Sequence, residues 1–350
     1  MENIHTLTQL LTNSGCDYKI FDLGRRILPI SNALFSNVEK AQQPYPYPLQ
    51  RHAHMAIAYW NSEKQPWIWF LKFPLDERGL LKQSDIGNFI KYVLEAMGTR
   101  LGGELSEEKQ QKLANNPYTF KPTEDKMAVF HSQIRAELEL PTSQYYEHAQ
   151  HYFSGGLGWD KWQTVGLQGI TDICARLGSA QNGVMLRKSL RHLPSEPRYA
   201  LLGALEHTEL PQKLAETLNE LAQQQIESSD PDLFLLAAYV RALSGAESSI
   251  LQLVISAILA SPRLSHQEVL IAIAGRSWQA LENATIAQQF LLRLAQTGNQ
   301  ALFNQIFADL VTQPSLRMVL LPLLNSCPSE ELTLALIQLQ QATKKDSKPS

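Results

Sequence analysis

Cysteine is scarce in this 350-residue chain: it occurs three times, at Cys16, Cys174 and Cys327. An odd, widely scattered set excludes a disulfide framework and a CxxC metal site, and points to a reduced, cytoplasmic compartment. Charge of one sign is also missing. Net charge is −3, and residues 1–153 carry 16 basic against 17 acidic side chains while residues 154–350 carry 15 against 17. No global basic field therefore recruits nucleic acid or anionic lipid. Long apolar runs are absent too. The most apolar stretch, Leu233 to Leu259, is broken by Arg241, Ser244, Glu247 and Gln252, short of the roughly 20 residues that a bilayer span requires. The start, MENIHTLTQLLTNSG, lacks a basic n-region and a cleavage site, so no secretory signal is expected there.

Catalytic and ligand motifs are missing as well. Gly155, Gly156 and Gly158 follow no strand and precede no Gly-Lys-Ser/Thr, so they are neither a dinucleotide fingerprint nor a phosphate loop. No G-x-S-x-G elbow and no H-E-x-x-H occur. His52 with His54, and His148 with His151, have usable ligand spacing but no Cys or Asp at a zinc-like distance, which reads as structural or surface histidine. No cofactor and no metal are expected.

What the chain does have is one unusual stretch. Pro44 to Gly79 reads PYPYPLQRHAHMAIAYWNSEKQPWIWFLKFPLDERG and holds three of the six tryptophans. Pro44, Pro46 and Pro48 forbid regular helix. His54–Trp60 and Trp67–Phe73 read as two strands joined by a polar link, and Tyr18–Leu23 as another. Helices are predicted over residues 3–13, over Asn32–Lys40 with Ser31 as its cap, and over Asp85–Met97 with Ser84 as its cap. Residues 1–98 are thus expected to form a small α+β domain with an antiparallel sheet.

Residues 99–158 read as a connector with helices at Met127–Glu139 and Tyr145–Phe153. From Trp159 to residue 342 the pattern changes to helix pairs, with starts near Trp159, Pro197, Pro231, Ser265 and Gln300, 34–38 residues apart. That recurrence is the signature of a HEAT-like α-solenoid. The expected fold is an α+β head on an all-α helical-repeat body, with residues 343–350 as a disordered tail.

Two constellations are candidates for function. The first is the polar rim of the head. Asp22-Leu23-Gly24-Arg25-Arg26 sets a carboxylate and two guanidiniums at a strand end, suited to clamping a phosphate or carboxylate in a cleft beside Asp76 and Glu77. The plainer reading is that these groups pair with the Asp76-Glu77 turn and hold the head together. The second is the aromatic strand, with Trp67, Trp69, Leu71 and Phe73 on one face and Ile68, Phe70 and Lys72 on the other. Two largely apolar faces imply cover on both sides or a docking surface. Base stacking is a third use of such aromatics, but Lys64, Lys72 and Arg78 are offset by Glu63, Asp76 and Glu77, which argues against it. A basic cluster at Arg187, Lys188, Arg191 and His192 reads most simply as a solvated helix face.

FDLGRRI at 21–27, PYPYPLQ at 44–50 and WFLKFPLDERG at 69–79 resemble a family of bacterial cytoplasmic proteins known as a domain of unknown function. The resemblance runs nearly full length and implies a bacterial origin. It assigns no activity, cofactor or site residue. From the residues themselves, the expected function is a non-enzymatic scaffold or adaptor with a protein partner, no nucleic acid and no membrane. An enzyme or small-anion binder using the rim is the alternative, and nucleic-acid binding a second alternative.

Overall fold

A computed structural model describes residues 4–346, apart from 63–64, 99–100, 102–106, 108–110, 112, 114, 180 and 325–328. The described chain is mostly helical with a small antiparallel sheet near its N-terminus. It divides into two units, the first Met1–Met127 with Thr312–Pro314, the second Ala128–Val311 with Ser315–Ser350.

In the first unit, α1 (Leu7–Asn13) is capped by Thr6, whose hydroxyl accepts from the Gln9 amide. Strands β1 (Asp17–Asp22), β2 (Leu28–Ile30), β3 (His52–Trp60) and β4 (Trp67–Pro74) form one sheet in the order β2-β1-β3-β4, with every pairing antiparallel. The three-residue β2 was not expected from sequence. Ser31 caps α2 (Asn32–Glu39) through the Leu34 amide, as predicted. Helix α3 (Gln83–Met97) starts earlier than expected. Its N-cap is Lys82, which makes no side-chain cap bond, so the capping role predicted for Ser84 is not realised.

Alternation along β3 and β4 decides the core. Met55, Ile57, Tyr59, Trp69, Leu71 and Phe73 turn to one face and pack with Ile86, Phe89 and Val93 of α3 and Leu7, Leu10 and Leu11 of α1. Trp69 meets Phe89 edge-on with centroids 5.5 Å apart, the geometry that aromatic quadrupoles favour. On the opposite face Phe21, Ala56 and Ala58 are buried, while Ile68, Phe70 and Lys72 are half-buried. Phe120 stands edge-on to His54 and Phe70 there. The outer edge of β4 is paired as well. Lys72 donates its amide to the Tyr118 carbonyl and Phe120 donates to Phe70, so a short strap covers an otherwise open sheet edge.

Helix α4 (Glu124–Glu137) runs across the boundary between the units. In the second unit α5 (Tyr146–Phe153), α6 (Leu167–Cys174), α7 (Asn182–Ser189), α8 (Ser195–Leu205), α9 (Gln212–Glu227), α10 (Leu233–Ala242), α11 (Ser248–Ala260), α12 (Gln267–Arg276), α13 (Ala284–Gln296), α14 (Gln300–Leu310), α15 (Pro314–Leu320) and α16 (Glu330–Asp346) follow. Their contacts sort into two ranks. α8 packs against α6 and α10, and α10 against α12; α9 packs against α7 and α11, α11 against α13, and α13 against α16. Residues 343–346 extend α16, where a disordered tail was expected; residues 347–350 of that tail lie outside the described residues. Most of the expected connector before Asn115 also lies outside them. Among the described residues no helix is long and apolar enough to cross a membrane.

Hydrogen bonds between residues 33–38 apart in the chain recur through this unit. Ser244 Oγ donates to the Glu206 carbonyl and Ser277 Oγ to the Val240 carbonyl. Arg263 donates to the carbonyls of Ile226 and Ser228 at the end of α9, and Arg293 to those of Leu259 and Ala260 at the end of α11. Each arginine satisfies the orphan carbonyls that end a helix, where the helix dipole also favours a cation.

Candidate functional site

Asp22 ends β1, and its side chain falls on the same sheet face as Met55, its register partner. It is buried with both oxygens engaged. Tyr45 Oη donates to Oδ1 over 2.8 Å, and the amides of Gly24 and Arg25 donate to Oδ2 at 3.1 and 3.3 Å. Burial raises its pKa to about 7, against the lowering effect of these bonds and of the Lys126 charge. Gly24 is needed for fit. A Cβ there would stand 3.3 Å from both Asp22 Oδ1 and Leu49 Cβ.

Arg25 is among the largest fully buried side chains, and its Nε donates to the Pro48 carbonyl at 3.2 Å. Arg26 is also buried. Lys126, still in the first unit, donates its ammonium to the Leu23 and Gly24 carbonyls. The expected clamp is therefore an interior network. Arg25 and Arg26 are packed away, and the Asp22 oxygens are spent on Tyr45 and on the turn's own amides.

The turn at Asp76 also serves itself. Its Oδ1 accepts from the amides of Arg78 and Leu80, and Glu77 and Arg78 are exposed. Asp22 reaches this turn indirectly, through Tyr45. While its hydroxyl holds Asp22, the Tyr45 amide donates to the Gly79 carbonyl at 2.9 Å. Gly79 has φ +81°, a left-handed conformation that glycine adopts without steric cost. The Pro-rich segment is thus the tie between the two turns, a role that its prolines obscured in the sequence.

Trp69 is buried in the core, and Trp67 is half-buried and stacked on Tyr59 with centroids 5.8 Å apart. Lys72 is half-buried on the opposite face, near enough to His54 to help lower its pKa. Desolvation is the larger cause, taking His54 to about 4, and its Nδ1 is buried without a hydrogen-bond partner. The aromatic strand is thus largely a core element.

Elsewhere, His148 meets the Thr164 hydroxyl and His52 the Gln50 carbonyl. Arg191 pairs with Glu220, and His192 stacks on Trp159 at 5.5 Å. Among the described residues no group of three or more His, Cys, Asp and Glu side chains is placed to hold a metal. An open depression of about 580 Å³ on the first unit is lined by His5, Thr6, Thr8, Gln9, Thr12, Asn13, Lys40 and Gln83, and shares no residue with the rim.

The second unit holds a cluster that sequence reasoning missed. Glu206, Arg241 and Arg276 occupy the ends of α8, α10 and α12, 35 residues apart in the chain. Arg276 Nε donates to Glu206 Oε1 at 2.8 Å, and His207 Nε2 lies 3.3 Å from the same oxygen. Arg241 Nε is 3.5 Å from Oε2, ion-pair distance without hydrogen-bond alignment. A nearly buried carboxylate thus ties three successive helices of one rank. Its signal was the spacing itself: one acid and two bases at intervals of 35 residues.

The same rank exposes apolar side chains in sequence-equivalent places. Tyr199 of α8 and Phe234 of α10 stand 35 residues apart, both exposed, and Ile271 of α12 is exposed too. Phe234 is 61% exposed, and its ring is tilted against that of His266 with centroids 6.1 Å apart. No curated protein and no solved structure matches this chain. The match that exists is at the level of family: residues 2–340 align with the family described as protein of unknown function (DUF3549), and the chain belongs to it.

Proposed function

We propose that this protein is a non-enzymatic, cytoplasmic scaffold, a HEAT-like α-solenoid carrying a small α+β head, which binds a protein partner along the rank α8–α10–α12. The observation that carries this reading is the exposure of Tyr199, Phe234 and Ile271 on three alternate helices, α8, α10 and α12, whose other apolar side chains are mostly buried. Repeat architectures present such rows as extended binding surfaces, and exposed aromatics are the side chains that anchor protein interfaces. The buried thiols of Cys16 and Cys174, both with raised pKa, accord with a reducing compartment. A catalytic or anion-binding use of the rim finds less support, because Asp22, Arg25 and Arg26 are buried and engaged.

The test is affinity capture from a native lysate with the full chain as bait. The wild type is expected to retain one stoichiometric protein, and a Y199A/F234A/I271A variant, folded to the same Tm, is expected to lose it. Equal capture by both would sink the assignment of this surface, and no stoichiometric protein in either would sink the scaffold reading.

A further inference from the structure

The sheet face turned away from the core gathers bases. His54 and Lys72 are register partners in β3 and β4, so both side chains rise from that face. His52 stands two residues before His54 on the same side of β3, with ring centroids 6.1 Å apart. Lys126, near the start of α4, is close enough to act on His54 too, while its ammonium bonds to the Leu23 and Gly24 carbonyls. Phe120 lies edge-on to the His54 ring at 5.3 Å.

No described acid balances this group. The charges that bear on His54 come from Lys72, His52 and Lys126, all opposing its protonation, with no carboxylate among them. Asp22 lies on the core face, held by Tyr45 and the turn amides. Glu124 and Asp125, just ahead of Lys126, are exposed. Among the described residues the half-buried Lys72 makes no ion pair. A partly desolvated ammonium without a counter-charge is costly, and an anion bound beside it lowers that cost. The His54 ring adds direction. Its Nδ1 is buried with no hydrogen-bond partner. Orphaned buried donors are rarer than orphaned acceptors, so the proton of the neutral ring belongs on Nε2, which is left to donate. Two histidines at this spacing could instead chelate a metal, but the adjacent lysines repel a cation and attract an anion.

We propose that His52, His54 and Lys72 form a binding site for a small oxyanion of the phosphate class, free phosphate or the phosphate of a small monoester. Lys72 supplies the counter-charge and His54 Nε2 a directed donor, while Lys126 adds its field. His52, whose Nδ1–H donates to the Gln50 carbonyl, flanks them. The site is separate from the Asp22 rim and independent of what binds the rank α8–α10–α12.

Proton–nitrogen correlation spectra of the imidazole rings in the full chain test it, at neutral pH, as sodium phosphate replaces sodium chloride at constant ionic strength. The His54 and His52 signals are expected to shift saturably, with half-saturation at about 1 mM or below, while those of His148, exposed on α5, stay put. Lys72→Gln is expected to raise the half-saturation point roughly tenfold. Lys72→Arg, which keeps the charge, is expected to bind, and Lys91→Gln, at an exposed site on α3, to match the wild type. Phenyl phosphate is titrated in parallel: tighter binding than phosphate assigns a monoester, and equal binding the free ion. Absence of a saturable shift in the wild type overturns the proposal by itself. So does wild-type affinity in Lys72→Gln with unchanged circular dichroism, and so does zinc chloride shifting both histidines where phosphate does not.

Discussion

Tyr45 Oη donates to Asp22 Oδ1 over 2.8 Å, while the Tyr45 amide donates to Gly79 and its hydroxyl also lies 3.2 Å from the His54 carbonyl. One side chain from a Pro-rich segment thereby joins the end of β1, the start of β3 and the turn after β4. Tyr45→Phe keeps the ring and removes the hydroxyl, leaving a buried carboxylate short of a donor. It is expected to cost about 1–3 kcal/mol in chemical denaturation. Tyr92→Phe, at an exposed position of α3, is expected to stay within about 0.5 kcal/mol.

Stability should depend on pH through two groups of opposite sign. Asp22 has its pKa raised to about 7 from 3.8, so the folded state holds a proton that the unfolded state releases. Its contribution is complete below about pH 4 and is lost as pH rises to 7, by up to about 4 kcal/mol. His54 is lowered to about 4 from 6.5, and its contribution is complete above 6.5 and lost as pH falls towards 4. Between pH 4 and 6.5 the two slopes oppose. Asp22→Asn should therefore expose a stability that climbs with pH over that window, and His54→Leu one that falls. Denaturation midpoints at half-unit pH steps would show whether the slopes separate in this way; parallel profiles for both variants would refute the assignment.

Glu206 bridges Arg241 and Arg276 from the end of α8. Glu206→Leu strands two partly exposed guanidiniums, and a loss of about 1–3 kcal/mol is expected. A double-mutant cycle with Arg276→Met should return a coupling of about 1 kcal/mol or more, whereas the same cycle with the surface pair Arg191 and Glu220 should return less.

The same substitution at two helical glycines should have opposite signs. A Cβ on Gly169 in α6 would stand 2.7 Å from the Tyr145 carbonyl oxygen and 2.9 Å from Ala149 Cβ, whereas at Gly203 in α8 it would meet nothing within 4 Å. Gly169→Ala is expected to destabilise by about 1–3 kcal/mol through overpacking. Gly203→Ala should stabilise by about 0.5–1 kcal/mol, since alanine is the better helix former. Thermal melts of the two variants decide it.

The elements of this fold were legible where their cause is local. The period-two alternation of β3 and β4, the Ser31 cap and the apolar stripe of α3 all lie within a few residues of what they specify. So does the recurrence of helix starts after Trp159. What was not legible depends on partners far along the chain. The short strand β2, Leu28–Ile30, exists because β1 stands beside it. Glu39 is buried because Thr8 meets it with both its amide and its hydroxyl. Asp172 is buried because Ser132 and the Ser143 amide reach it. The rim shows the same limit in reverse. Asp22, Arg25 and Arg26 were picked out as a group, but their charge pattern suggested a surface clamp, and nothing in it disclosed that Tyr45 and Pro48 close over them.

Lys126 bonds to the carbonyls of Leu23 and Gly24, more than 100 residues upstream, and the strap at Tyr118–Phe120 pairs with β4. During synthesis the sheet is therefore incomplete until about residue 126 has left the ribosome, and β4 offers a bare edge in the meantime. Most of the helices that follow meet a packing partner within about 35 residues and can settle as they emerge. The part of the protein made first thus waits about 100 residues for its closing contacts, and its nascent chain is most prone to aggregation over that interval.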